Sequence, residues 1–479
     1  MKRKFLPLIM LFSAIILMSS CLSSNDEEIT YNEDTAITSF SLGTLNETVH
    51  TKASTGVDST YSTTLDCSGY KFNIDQANRI IYNQDSLPYG IDASKVICTI
   101  GSKNSGSIIL TLKATDGKDS LAYYSSSDSL DFTNPMKVSV YSQSGLYHRD
   151  YTIQVNVHKE PANSFIWQSL PSNSKIAALR GMRAINCNNT LYVFGSNGSS
   201  TVIYSTEMTD GRTWTVRTPN IALTQDAYKE TFAKDGYLYT LDNGVIYKSA
   251  DASTWTAIAS TNVKHLLGAS TSKIYALTND GIVSSTDDGA TWSNEELDDD
   301  PSLLPTQDLN FYCAPLVTNK ETNRLLIMGN RSESSYATDS VAQIWGKIEE
   351  NGTLSENQKW TYFYISSNNL YMAPRLRNIH INRYAGDILA FGGDGIGANV
   401  TKGYAHFYMS HDGGITWHKD GNDSIEITVP DGFSASSSSF AMTVDSDQYI
   451  WLFCGQSGQV WKGRLTNLGW RKEQTEFTE

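Results

Sequence analysis

The chain has 479 residues, and its 37 Lys and Arg stand against 51 Asp and Glu for a formal net charge of −14. That balance argues against nucleic acid as a partner. Aromatics at 11%, with 26 Tyr and 10 Trp, favour strands, and the six cysteines lack the close spacing of a zinc knuckle or a disulfide framework.

Residues 1–20 read as a secretory signal: Lys2, Arg3 and Lys4, an apolar run from Phe5 to Met18, then Ser19 and Ser20 before Cys21. The run is shorter than the roughly 20 residues a membrane-spanning helix needs, and no later stretch qualifies. Met18-Ser19-Ser20-Cys21 resembles a lipobox, with Met where Leu is commoner. The resemblance implies that Cys21 is the lipidation site and that its acyl chains hold the chain in the outer membrane. Cleavage removes three basic and no acidic residues, leaving 34 − 51, or about −17.

Residues 21–34 are acidic and too poor in apolar side chains to pack, so they are expected to be a flexible tether. Leu22 to Glu28 resembles the acidic export signal of surface lipoproteins of Bacteroidota, which implies the cell surface, with the periplasmic face as the alternative address. For Cys67, Cys98, Cys187, Cys313 and Cys454 we expect scattered buried thiols, a Cys67–Cys98 bridge being the alternative in an oxidising compartment.

Residues 35–158 contain short alternating runs such as Ile37 to Leu42, Ser107 to Leu112, Met136 to Tyr141 and Tyr151 to Val157. Period-two alternation separated by polar Gly, Ser and Asp clusters predicts half-buried strands in an antiparallel sandwich. The last run resembles the closing strand of cadherin-like or immunoglobulin-like modules. Residues 159–164, polar with Pro161, suit a linker, and every Trp lies at or beyond Trp167.

Residues 165–479 repeat. Ser285, Asp287, Gly289, Thr291 and Trp292 match the Asp-box pattern Ser-x-Asp-x-Gly-x-Thr-Trp, and so do Ser410, Asp412, Gly414, Thr416 and Trp417. The copy ending at Trp255 is one residue short and lacks the Gly, while the copy ending at Trp214 is longer. These residues are structural: the Asp accepts N–H groups across a turn, the Gly takes positive φ, and the Trp opens the next strand. Trp214, Trp255, Trp292, Trp360, Trp417 and Trp470 count out a β-propeller of six blades, with seven as the alternative. Phe165-Ile166-Trp167-Gln168 is the candidate clasp that closes the ring.

No catalytic residue, cofactor or metal site is expected. The Asp-box occurs in sialidases, which hold a carboxylate with three arginines and pair Tyr with Glu. No Arg-Ile-Pro motif occurs here, and Arg180, Arg183, Arg375, Arg377 and Arg383 read as surface or blade-edge residues. The Gly-rich Phe391 to Gly397 lacks a following helix pattern, so nucleotide binding is discounted. His406, His411 and His418 read as turn histidines, and Asp298-Asp299-Asp300 as a loop. Acceptor-like triplets for the O-glycosylation of Bacteroidota stand at Thr35, Ser59, Ser86, Ser120, Ser129, Ser340 and Ser424.

Together the lipobox, the Ile-Thr-Ser-Phe-Ser-Leu start, the stretch Phe72 to Asn83 and the terminal propeller resemble an uncharacterised family of Bacteroidota lipoproteins. The resemblance implies architecture and address, and no functional residues. The expected function is non-catalytic binding of glycan or protein through one propeller face, the sandwich acting as spacer. Tyrosines around Tyr362, Tyr364 and Tyr371 are candidates to stack on sugars, and burial in blade strands explains them equally well. A sialidase-like glycoside hydrolase and a scaffold of an outer-membrane complex are the alternatives.

Overall fold

The computed structural model describes residues 30–52, 58–113, 119–350, 358–366, 369–419 and 427–469. The signal segment, Cys21, Ser424 and Trp470 lie outside them. The chain divides into two units, one ending at Pro161 and the other spanning Ala162–Gly469.

In the first unit, His148–Gln154, Met136–Tyr141 and Ile108–Lys113 form the middle of a six-stranded sheet. A two-stranded ladder, Ile37–Leu42 with Cys98–Ser102, shares one core with it through Phe40, Ile100, Val138 and Ile153. The expectation of purely antiparallel pairing fails along one edge: His148–Gln154 runs parallel to Ile80–Asn83, with Ile153 opposite Ile81, and Val157 further on bridges Leu87 in parallel. Side-chain alternation is the same in both kinds of ladder, so the pattern cannot tell them apart. Tyr151 anchors this layer, its hydroxyl donating to Gln76 Oε1 at 2.6 Å and accepting from Ile37 N at 3.3 Å. The described cysteines are all free and no Cys67–Cys98 bridge forms.

In the second unit the repeats become six four-stranded antiparallel sheets. Blade I is Gly181–Cys187, Thr190–Ser196, Thr201–Glu207 and Thr215–Arg217, and blade II is Thr231–Lys234, Tyr237–Asp242, Val245–Ser249 and Thr256–Ser260. Blade III is His265–Ala269, Ile274–Leu277, Ile282–Ser285 and Ser293–Asn294, and blade IV is Gln307–Pro315, Thr322–Asn330, Gln343–Glu350 and Thr361–Tyr362. Blade V is His380–Tyr384, Asp387–Phe391, Tyr408–Ser410 and His418–Lys419. Blade VI takes Phe440–Val444, Ile450–Cys454 and Val460–Leu465 from the end of the unit and its outermost strand, Phe165–Leu170, from the start. The first strands of the blades contact one another in cyclic order and the last returns to blade I, so the ring is closed. A closed ring of six, rather than seven, is a β-propeller whose blade edges are short and protected.

Tight turns set the hairpins. Asn188 and Asn189, with φ of 49° and 60°, link the first two strands of blade I, and Asn243-Gly244 does the same between the middle strands of blade II. Both central residues at positive φ match the right-handed twist of the flanking strands. The clasp needs a missing side chain: a Cβ at Gly463 would stand 2.3 Å from the Trp167 ring with which it pairs.

Each of the six inter-blade spaces holds its own apolar cluster. Trp255 packs between blades I and II, Trp360 between III and IV, and Trp417 between IV and V. Burying a large ring between two sheets fixes them together, because an aromatic removes more apolar surface from water than any other side chain there.

Candidate functional site

Two kinds of polar structure occur in the propeller, one on its rim and one on its axis. On the rim, Asp287 Oδ1 accepts from Ser285 Oγ at 2.7 Å and Thr291 N at 2.8 Å, and Oδ2 accepts from Thr291 Oγ1 at 2.6 Å. Ser285 Oγ in turn accepts from Gly289 N at 2.8 Å. The corner at Ser410 repeats the pattern, with Thr416 Oγ1 on Asp412 Oδ2 at 2.6 Å and Gly414 N on Ser410 Oγ at 2.8 Å.

These bonds to the charged form hold the Asp287 carboxyl down at about 2. For Asp412, burial pushes upward, yet the Thr416 hydroxyl and N–H outweigh it and the carboxyl stays below its ordinary value. Gly414, at φ +97°, packs so closely on blade IV that a Cβ would meet Leu326 at 2.6 Å. Both carboxylates are saturated by their own turns and belong to blade packing. In the short copy Ala252 takes φ 61° in place of the missing glycine, and the Trp255 indole N–H donates to its carbonyl at 3.0 Å.

On the axis, the starts of the first strands of blades I to V surround a cavity of about 410 Å³. Blade I contributes Arg183, the approach to blade II contributes Tyr228, Lys229 and Glu230, and blade III contributes His265. Blade IV contributes Thr306 to Asn310 and Glu333, and blade V contributes Arg377, Asn378 and His380. Asparagines stitch neighbouring blades beside it: Asn310 Nδ2 donates to Ile379 O at 2.7 Å and Asn378 Nδ2 to Phe440 O at 2.8 Å.

Asp308 stands on a bulge in the first strand of blade IV, between the paired Gln307 and Asn310, with φ 51°. Bulges re-aim a side chain, and a non-glycine residue at positive φ is strain that the surrounding structure must hold. Its carboxyl is pushed up by burial, against the 2.8 Å bond from Asn330 Nδ2. His380 is buried too; burial and the nearby Arg183 charge push it down to about 4, so its ring is neutral and Nε2 donates to Phe440 O at 3.0 Å. Glu230 takes His265 Nδ1 at 3.0 Å and Leu266 N at 2.8 Å. Buried ionisable groups shifted against their ordinary values, gathered in one concavity, mark the candidate binding site.

The reading of five arginines as surface or blade-edge residues holds for Arg180 and Arg383, which are exposed; Arg377 is exposed too but lines the cavity, and the reading fails for the other two. Arg375 is fully buried and donates to Tyr336 O, Asp339 O and Arg331 O at 2.6–3.2 Å, fixing the loop that carries Glu333. Arg183 lines the cavity. Glu230, His265, Asp308 and His380 were not singled out by sequence reasoning. Each stands within two residues of a first strand's start, a shared position that no residue motif marks.

The other candidates stay structural. His411 bonds Asp387 at 2.8 Å and His418 packs on Tyr371. Asp300 caps a short turn at Ser302, Asp299 accepts from Tyr364, and no cluster of metal-ligating side chains occurs among the described residues. Tyr364 and Tyr371 are exposed on the rim, away from the cavity lining, whereas Tyr362 is half-buried against Trp345. Of the glycosylation triplets, Ser86 and Thr35 are buried, and Ser59, Ser120, Ser129 and Ser340 are exposed.

Residues 161–473 match the DUF6242 beta propeller domain and residues 40–155 the DUF6242 N-terminal domain, a domain of unknown function. No curated protein matches the chain. Among solved structures, a protein of unknown function from Bacteroides thetaiotaomicron is 8% identical with a TM-score of 0.40, covering 83% of this chain and 98% of its own. The structure titled YCF48 bound to D1 peptide is 14% identical, TM-score 0.33, over 64% of this chain and 97% of its own. The WD40 domain of Toxoplasma gondii coronin is 8% identical, TM-score 0.34, over 64% and 88%. Likenesses this distant assign no ligand and no partner. The two family matches do place the chain: it belongs to the DUF6242 family.

Proposed function

We propose that this DUF6242 chain is a lipid-anchored cell-envelope protein whose propeller binds a glycan in the axial cavity without cleaving it. One observation carries the reading: five blades converge charged and amide side chains on one cavity of about 410 Å³, within the size range of small-ligand sites. A rim corner uses its polar groups on its own turn, whereas Arg183 in the cavity gives only two of its five N–H donors to carbonyls.

The address rests on residues 1–28, where the signal pattern, the lipobox-like Cys21 and the acidic tether point to the outer membrane and its outer surface. The Ser285–Trp292 and Ser410–Trp417 corners are read as Asp-boxes that build blades. The first unit is read as a spacer.

A second reading has one observation in its favour. Asp308, its carboxyl raised by burial, would suit a general acid, as a glycoside hydrolase of the same cavity requires. A glycan-array screen of the chain from Leu22 onward, scoring both retention and loss of each sugar, separates the two. Retention without loss is expected; loss of sugar would replace the receptor by a hydrolase, and a blank array would overturn both.

A further inference from the structure

Arg183 starts on the first strand of blade I, yet its guanidinium lies across the axis. Nη1 donates to Lys229 O, at the approach to blade II, at 2.5 Å, and Nη2 donates to Leu309 O, on the opposite blade IV, at 2.7 Å. A guanidinium has five N–H donors in a planar fork, so two carbonyls leave three unused.

The other cations of the cavity have carboxylates of their own: Lys229 pairs with Asp226 at 2.7 Å and Arg377 with Glu333 at 3.4 Å. Arg183 has no ion pair among the described residues. Glu230 lies near enough to favour its charge, but both oxygens of Glu230 are taken by His265 and Leu266 N. Asp308, tilted by burial towards its protonated form, is a poor counter-ion. Burial disfavours the charge on Arg183 as well, and a half-buried cation whose partners are two carbonyls is one that an anion entering the cavity would stabilise.

The shape of that anion follows from the fork. Parallel N–H groups match a planar carboxylate in a bidentate geometry. The neutral side chains of the same cavity, Thr306, Gln307 and Asn378, offer hydroxyl and amide partners, which suit a polyhydroxylated body around the carboxylate. We infer that Arg183 seats the carboxylate of an acidic sugar, a uronic-acid residue in class, on the propeller axis. This rests on the reading that the axial cavity binds glycan, and it names which glycan.

The test is titration calorimetry on the full mature chain, as wild type, Arg183→Lys and Arg183→Met, each checked by its melting curve. The probes are glucuronic acid, glucose and the free-acid tripeptide of alanine. Wild type is expected to prefer glucuronic acid over glucose by at least about tenfold. Arg183→Lys should keep part of that preference, since a point charge replaces the fork, and Arg183→Met should abolish it. If Arg183→Met fails to fold, the partial loss in Arg183→Lys carries the test. Equal binding of glucose and glucuronic acid would overturn the inference and leave the glycan reading standing. Binding of neither sugar would overturn both, and binding of the tripeptide in place of glucuronic acid would overturn the sugar as the ligand class.

Discussion

The rim and the axis of the propeller use the same chemistry, buried and half-buried carboxylates with hydroxyl and amide neighbours, to opposite ends. At Ser410–Trp417 the donors of Asp412 come from within four residues, and the corner is complete before any neighbour arrives. At the axis, Arg183 reaches a carbonyl 126 residues away, and Asn310 one 69 residues away. A closed local network adds stability and offers nothing to a ligand. An assembled network with unused valences costs stability and can bind.

The largest effect is expected on the rim. Trp417→Ala, removing a buried ring between blades IV and V, should cost about 4 kcal/mol and lower the melting temperature accordingly. A loss under about 1 kcal/mol would mean that the corner does not join the blades.

Acid should separate the two regions. The His380 pKa is depressed from 6.5 to about 4, so below pH 6.5 the unfolded chain takes a proton that the folded one refuses, and stability falls from there towards pH 4. The Asp287 pKa is depressed from 3.8 to about 2, so its contribution is full above pH 3.8 and is lost as pH falls through about 2. A melting series against pH should therefore show an upper decline that His380→Gln removes and a lower one that Asp287→Asn removes. A single decline untouched by either variant would contradict both assignments.

Arg183→Met should change stability by no more than about 1 kcal/mol in either direction, because the cost of leaving two carbonyls is offset by removing a desolvated charge. Denaturant unfolding measures it, and a loss as large as that at Trp417 would make Arg183 a structural tie. Smallest of all, Ala252→Gly should leave stability within about 0.5 kcal/mol: relief of a positive φ opposes the loss of a buried methyl group.

The same contrast explains what the sequence reveals. Blades are legible because they keep an alternating strand and a Trp directly before the outermost strand, as Trp255, Trp292, Trp360 and Trp417 stand. Blade VI departs from that rule, since its outermost strand is Phe165–Leu170 from the other end of the unit, visible in the sequence as one surplus strand with its own Trp167. In the first unit, alternation marks the strands, and the parallel neighbour of His148–Gln154 leaves no trace in it. The axial site is the least legible, because Arg183, Glu230, Asp308 and His380 carry no local motif and meet only when the ring closes. Arg375 misleads for a related reason: an arginine with three carbonyl partners and no carboxylate looks, in one dimension, like any solvated arginine.

The most direct test of the division between rim and axis is the glycan-array profile of Asp412→Ala beside that of Arg183→Met, both read below their melting temperatures. The account predicts a wild-type profile for Asp412→Ala, despite its lower stability, and a changed profile for Arg183→Met. A changed profile for Asp412→Ala with Arg183→Met unaltered would place the binding face on the rim and contradict it.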